Sequence, residues 1–358
     1  MWKKNDTWQS KESDLRKALQ EIDGVTTKKV VPIRDIVLWT RGDDEKFNSQ
    51  RKNISTHVPE EIYVNHHTLM EYNGKLHEMS ENSLAALGIR LELYGAALNT
   101  SSQLRDAYMD ELCAHSKAKA SIIERRGKVF GVFSDKYCYV PQESLMNIIE
   151  SALSELNEDN PDIKFKITQF ETGIKISFPS IRDDISKMYH LPETMTPGLY
   201  ITTSDTSDSA VSVQEVWTLK GIDTLGCRVG RKHLGVVDIN DLIRQMKRKI
   251  FKNYTYVPEK LCEMLLIDID YVDVEYIIKK LGIHKIIGNK RTQELISQLS
   301  MEFAGRTSLT AYNVAVSFLS LADRIDGLKD AQKMMIGEAC YGILDYKFEE
   351  EKVPIVLT

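Results

Sequence analysis

The hydropathy period of this chain changes once, near its middle, and that change fixes what the chain must pack together. Over residues 211–219, Val211, Val213, Trp217 and Leu219 share one parity while Ser212, Gln214 and Thr218 take the other. This is the two-residue repeat of a half-buried strand. Further on, Ile239, Leu242, Ile243, Met246 and Ile250 recur at helical spacing behind Asp238 or Asn240. Either is a suitable N-cap, because a short side-chain oxygen satisfies free N–H groups of the first turn. The segment 198–252 therefore begins as strand and ends as an amphipathic helix. Leu199 and Ile201 lie in a short apolar run, a Ser/Thr/Asp run follows, Lys220-Gly221 offers a turn, and 226–233 reads as a further strand or a basic loop.

Positive charge gathers in the same segment. Between Arg228 and Lys252 there are eight Lys/Arg against Asp238 and Asp241, a local surplus of six positive charges in a chain of net charge −5. Arg244, Arg248 and Lys252 recur at i, i+4, i+8 with Lys247 beside them, which aligns them along one side of a helix. Arg228, Arg231 and Lys232 precede them, and Tyr254 and Tyr256 follow. Two readings stand: a solvated helix face, or a surface that tracks phosphates with aromatics at hand for base stacking.

The remaining composition narrows the class. The 358 residues suffice for two domains, and the hydrophobic fraction of 42% suits a globular protein. No run of 18 apolar residues predicts a membrane helix, and the first residues lack the apolar core of a signal peptide. Cys113, Cys138, Cys227, Cys262 and Cys340 are odd in number and form no CxxC pair, which points to reduced thiols in a cytoplasm.

The pattern along the chain predicts an α+β fold, with antiparallel hairpins packed on helices and a helical C-terminal region. Residues 1–60 read as a polar arm holding a short helix from Asp14 to Ile22 and a strand-like run from Lys29 to Leu38. Residues 61–257 read as the core domain. Asn73-Gly74 marks a turn, Ser80 starts a helical region, and 121–140 reads as a hairpin turning at Arg125-Arg126-Gly127-Lys128. Leu145, Ile148, Ile149, Ala152 and Leu156 predict a helix. Phe165, Ile167, Ile174 and Ile176 predict a hairpin turning at Thr172-Gly173, and the connection from Ile181 to Thr196 has no assigned structure. Residues 258–358 read as helices, opened by Pro258 in a first turn and closed by the acidic tail Glu349-Glu350-Glu351.

Three segments carry a resemblance. The first is the segment from Ala120 to Tyr139, an Arg-containing hairpin followed by the run Val132 to Tyr137, which is similar to a serine-aspartate-x-tyrosine pattern. The second is Thr203-Ser204-Asp205 with a following strand, Cys227, and His233-x-Gly235 before a helix. The third is a C-terminal helix pair containing Ala315 and Gly342. In this order they resemble the phage- and plasmid-associated proteins grouped as domain of unknown function 932, over roughly residues 70–344. The resemblance implies a phage, prophage or plasmid origin and no catalytic mechanism.

Other chemistries lack their motifs. There is no GxxxxGK[ST] and no GxGxxG; the GCRVGRK run lacks the Ser/Thr that holds Mg²⁺. His57, His66, His67 and His77 form no HExxH. Asp268, Asp270, Asp273 and Glu275 read either as helix-start carboxylates or as a two-metal nuclease site. Ser204, Ser207, Ser209, Asp205 and His233 lack a nucleophile elbow. Cys227 beside Arg228 has the setting of either a small buried side chain or a thiol of lowered pKa. No catalytic residue, metal or cofactor is assigned. The expected function is non-enzymatic binding or annealing of single-stranded nucleic acid by a homo-oligomer. Arg228, Arg231, Lys232, Arg244, Lys247, Arg248 and Lys252 would contact phosphates, with Arg125, Arg126 and Lys128 as a second contact and Tyr254, Tyr256 or Trp217 stacking. The alternative is a phage structural or host-interaction protein whose arm and tail reach a phage or host protein. No membrane partner is expected.

Overall fold

The computed structural model describes residues 12–40, 68–93, 102–167, 171–204, 211–219, 221–233, 235–306, 308–328 and 330–348. It is an α+β protein built on two sheets. The first runs β1 (Thr26–Pro32), β5 (Lys119–Arg125), β6 (Lys128–Ser134), β4 (Lys75–Met79), β3 (Thr68–Tyr72) and β2 (Val37–Thr40). Its pairings are antiparallel except β4 with β6. That parallel pair follows from the long crossover between them, which carries helices α2 (Glu81–Arg90) and α3 (Ser102–His115). The second sheet is an antiparallel run of β11 (Ile222–Arg231), β10 (Val211–Leu219), β9 (Met195–Ser204), β8 (Glu171–Ser177) and β7 (Asp162–Ile167). Helices α4 (Leu145–Leu156) and α5 (Pro179–Tyr189) interleave with its strands. Beyond it come α6 (Ile239–Met246), a π turn (Lys247–Phe251), α7 (Asn253–Leu265), α8 (Val274–Lys280), α9 (Ile283–Ile287), α10 (Asn289–Ala304), α11 (Ala311–Leu319), α12 (Leu321–Arg324) and α13 (Asp330–Tyr341).

The buried apolar side chains divide into two main cores. One lies under the first sheet and joins Val31, Leu38, Met70, Tyr72, Ile122 and Val132 to Leu87, Met109 and Cys113 of α2 and α3. The other joins the second sheet to the helices around it and reaches from Leu15 to Leu344. This corrects the domain boundaries expected from composition. Residues 12–40 are not a polar arm: α1 (Glu12–Val25) buries Leu15, Leu19 and Ile22 in the second core, and β1 and β2 are strands of the first sheet. Polar outward faces diluted the apolar signal there. The rest of the expected arm and the acidic tail lie outside the described residues. The expected boundary at 257/258 falls inside α7, so the helical C-terminal region shares a core with the second sheet.

Turn chemistry explains most of the connections. Asn73 and Gly74 both have positive φ between β3 and β4, as do Arg126 and Gly127 between β5 and β6. Ser80 caps α2 by accepting from the Ser83 N–H, and Asp238 caps α6 by accepting from the Asn240 N–H at 2.9 Å. Thr172-Gly173, expected as a turn, lies within β8. Pro258 is inside α7 rather than in a first turn, because α7 already starts at Asn253. A backbone approach fixes the middle of the second sheet: a Cβ on Gly198 would stand 2.2 Å from the Ile176 carbonyl oxygen. Replacing Gly198 with alanine is therefore expected to cost about 2–3 kcal/mol through forced strand separation. Urea unfolding checks this, and wild-type stability in the variant would refute the close approach.

The two halves are stitched by α1 and by the strand ends. Asp23 accepts from the Tyr139 hydroxyl at 2.5 Å and from the Gln142 and Glu143 N–H groups at 2.8 Å. The Tyr137 ring stacks between Phe133 at 3.9 Å and His233 at 5.3 Å, centroid to centroid. Cys138 N–H donates to His233 O, and Gly235 N–H donates to Lys136 O. Two of the motifs singled out in the sequence, 132–137 and His233-x-Gly235, thus meet at one seam.

Candidate nucleic-acid interface

The basic helix is built around its π turn. Leu242, Met246, Ile250 and Tyr254 are all buried, at steps of four residues. At 3.6 residues per turn a four-residue step drifts by about 40°, so a plain α-helix would roll this stripe off the sheet. A π turn, bonded i→i+5, takes more residues per turn and keeps the stripe facing the core. The same correction keeps Arg244, Arg248 and Lys252 in line on the outer side. All three are exposed, as is Lys249. Arg244 lies 3.6 Å from Asp241; among the described residues Arg248, Lys249 and Lys252 form no ion pair.

The other predicted cations divide. Arg231 donates from Nε to Asp241 at 3.1 Å, so β11 and α6 bring Arg231 and Arg244 to one carboxylate. Lys247 is paired with Glu155 of α4 at 2.6 Å. Arg228 and Lys232 are exposed. The hairpin tip belongs to the first sheet: Arg125 is buried, donating from Nε to Thr26 at 2.9 Å, and Lys128 pairs with Glu78 at 2.9 Å. Arg126 is the exposed cation of that tip. No hydrogen bond or ion pair joins the tip to the 239–265 helix among the described residues.

For Tyr254 and Trp217 the stacking expectation is overturned. Tyr254 is 5% exposed, its hydroxyl donates to Gly198 O at 2.9 Å, and its ring meets Trp217 edge-on. Trp217 is core. The Tyr256 hydroxyl donates to Asp345, with Lys260 over its ring. The four-residue step carried Tyr254 to the buried stripe, so Tyr254 and Trp217 present no free stacking face, while Tyr256 is half-buried.

Beneath the helix lies a residue the sequence reading passed over. Glu215 is fully buried on the core face of β10, opposite a bulge where Gly226 and Cys227 together face it. Its carboxylate accepts from Trp217 Nε1 at 2.6 Å, Asn253 Nδ2 at 2.9 Å, the Cys227 N–H at 3.0 Å and the Tyr341 hydroxyl at 3.3 Å. Gly226 leaves the room: a Cβ there would lie 2.7 Å from Glu215 Oε2. Burial pushes the Glu215 carboxyl above its ordinary range, and the four donors only partly oppose this. One group thus ties the sheet, the exit of the π turn and α13. The signal was present in its parity, which it shares with Val213 and Trp217.

The remaining candidate chemistries find no support among the described residues. Burial and the neighbouring Glu215 push the Cys227 thiol up, against Lys249, which corrects the lowered alternative. Asp273 caps α8 through the Tyr276 N–H, Asp268 and Asp270 are exposed, and no three His, Cys, Asp or Glu side chains converge as metal ligands. His233 sits between Cys138 O, 3.0 Å from Nδ1, and Thr203 Oγ1, 3.4 Å from Nε2. Ser207, Ser209, Asp205, His57, His66 and His67 lie outside the described residues. No described helix is long and apolar enough to cross a membrane. The chain matches no family model, no curated protein and no solved structure.

Proposed function

We propose that this chain is a non-enzymatic nucleic-acid-binding protein that holds phosphates along the exposed side of the 239–265 helix. The observation that supports it is the row Arg244, Arg248 and Lys252 with Lys249, exposed and largely without carboxylates, in a chain of net charge −5. Like charges at i, i+4 destabilise a helix, so the row does not serve the fold. Phosphates would supply the missing counter-charge. With Tyr254 and Trp217 in the core, the contact is to the backbone, and single-strand annealing rests on phosphate contact alone. Phage or plasmid origin is carried by the sequence resemblance.

The test is binding of labelled single-stranded DNA, duplex DNA and RNA across a salt series, with particle size followed in parallel for the expected oligomer. Affinity is expected to fall with salt with a slope near 0.7 per contacted phosphate on single strands and near 0.9 on duplex. The absence of binding at low salt would overturn the proposal.

A further inference from the structure

At the turn end of the first sheet, four strands converge on one carboxylate. Glu124 of β5 accepts from the Tyr72 hydroxyl of β3 at 2.7 Å and from Lys29 Nζ of β1 at 3.2 Å. His77 of β4 stacks on Tyr72 at 4.3 Å and places Nδ1 3.7 Å from Glu124 Oε2, beyond hydrogen-bond reach. The His77 side chain is 5% exposed, and neither ring nitrogen has a hydrogen-bond partner. Buried imidazoles are ordinarily bonded, so this arrangement needs an explanation. We infer that His77 is a proton-operated release for this end of the sheet, holding the β3–β4 hairpin down while neutral and freeing it when charged.

The surroundings set the direction. Burial acts most strongly on His77 and lowers its pKa; Glu124 opposes this, Lys29 and Lys75 reinforce it, and the Gly127 backbone slightly favours the charged form. Cys113, in the same core, is pushed up to about 12 by burial and stays a neutral thiol. Burial also raises Glu124, but the Tyr72, Lys29 and His77 contacts outweigh it and hold the carboxylate ionised. A protonated His77 would need Glu124, whose Oε2 already serves Tyr72 and Lys29, and would face two lysines. The unfolded chain therefore takes the proton first. Stability is fully present above the ordinary histidine range and is lost as pH falls from about 6.5 toward the lower folded value.

His77→Phe keeps a ring on Tyr72 and removes the titration. Urea midpoints of the full chain and of this variant are compared from pH 7.5 to 5.5. Hydrogen exchange of residues 68–79 is followed at both ends, corrected for intrinsic rates. The wild type is expected to lose a factor of about ten in its folding equilibrium constant for each unit of pKa depression crossed, with β3 and β4 losing protection first, while the variant loses less. Equal losses in both proteins would overturn the inference. Should the variant not fold, the His77 ring resonance in the wild type decides: titration below about 6.5 sustains the inference, and titration at or above it refutes it.

Discussion

Replacing Glu215 with alanine is expected to cost about 3 kcal/mol of stability, more than replacing it with glutamine. All four partners of this carboxylate are donors, and two of them are fixed. The Cys227 N–H points inward because of the bulge, and Trp217 Nε1 is held by its packed ring. Alanine leaves both buried without an acceptor, at roughly 1–3 kcal/mol each. Removing a buried charge returns part of that, because the carboxylate no longer has to be desolvated. Asn253 and Tyr341 can turn toward other partners. Glutamine retains one acceptor oxygen, enough for one of the two donor pairs, so its expected cost is about half. Urea unfolding with Trp217 fluorescence measures the order wild type, Glu215→Gln, Glu215→Ala. An alanine variant as stable as the wild type would remove Glu215 as the tie between sheet, helix and α13.

How such a residue escaped the sequence reading is instructive. Parity gave β10 its buried face, and the same parity places Glu215 among Val213 and Trp217. A charge in that position was set aside because its partners are distant in sequence: Asn253 and Tyr341 lie in elements whose approach no local pattern announces. What depends on neighbours was legible. Asn73-Gly74, the hairpin at 126–127, the Asp238 cap and the helix through Ile148 and Ile149 follow from turn chemistry and period alone. What depends on helix pitch was not. Tyr254 and Tyr256 were offered for stacking because they follow the cations in sequence, whereas the helix running on through the π turn brings Tyr254 under the sheet. α1 was legible as a helix but not as part of a core, since its three buried residues are diluted by charged ones facing solvent. The cations of the candidate interface were legible as a row, since i, i+4 spacing needs no tertiary information; which of them are already paired, as Lys247 and Lys128 are, was not.

Reversing Arg248 and Lys252 together, Arg248→Glu with Lys252→Glu, is expected to weaken nucleic-acid binding by roughly one to two orders of magnitude near 0.1 M salt. Both side chains are exposed and form no ion pair among the described residues, so the change is expected to remove two phosphate contacts and add two repulsions without breaking a bond seen there. The salt dependence separates this from a general charge effect. Losing two contacts lowers the slope of log affinity against log salt by about 1.4 on single strands or about 1.8 on duplex, whichever polymer binds. Reversing Lys247 instead breaks its pair with Glu155 and is expected to alter stability more than the slope. The unfolding midpoint of the double variant should match the wild type, because the outer helix face carries none of the apolar stripe at Leu242, Met246, Ile250 and Tyr254. Undiminished affinity with an unchanged slope would take the helix out of the interface. The exposed cations Arg228, Lys232 and Arg126 would then be the next to reverse, the last testing whether the first sheet contacts the polymer on its own.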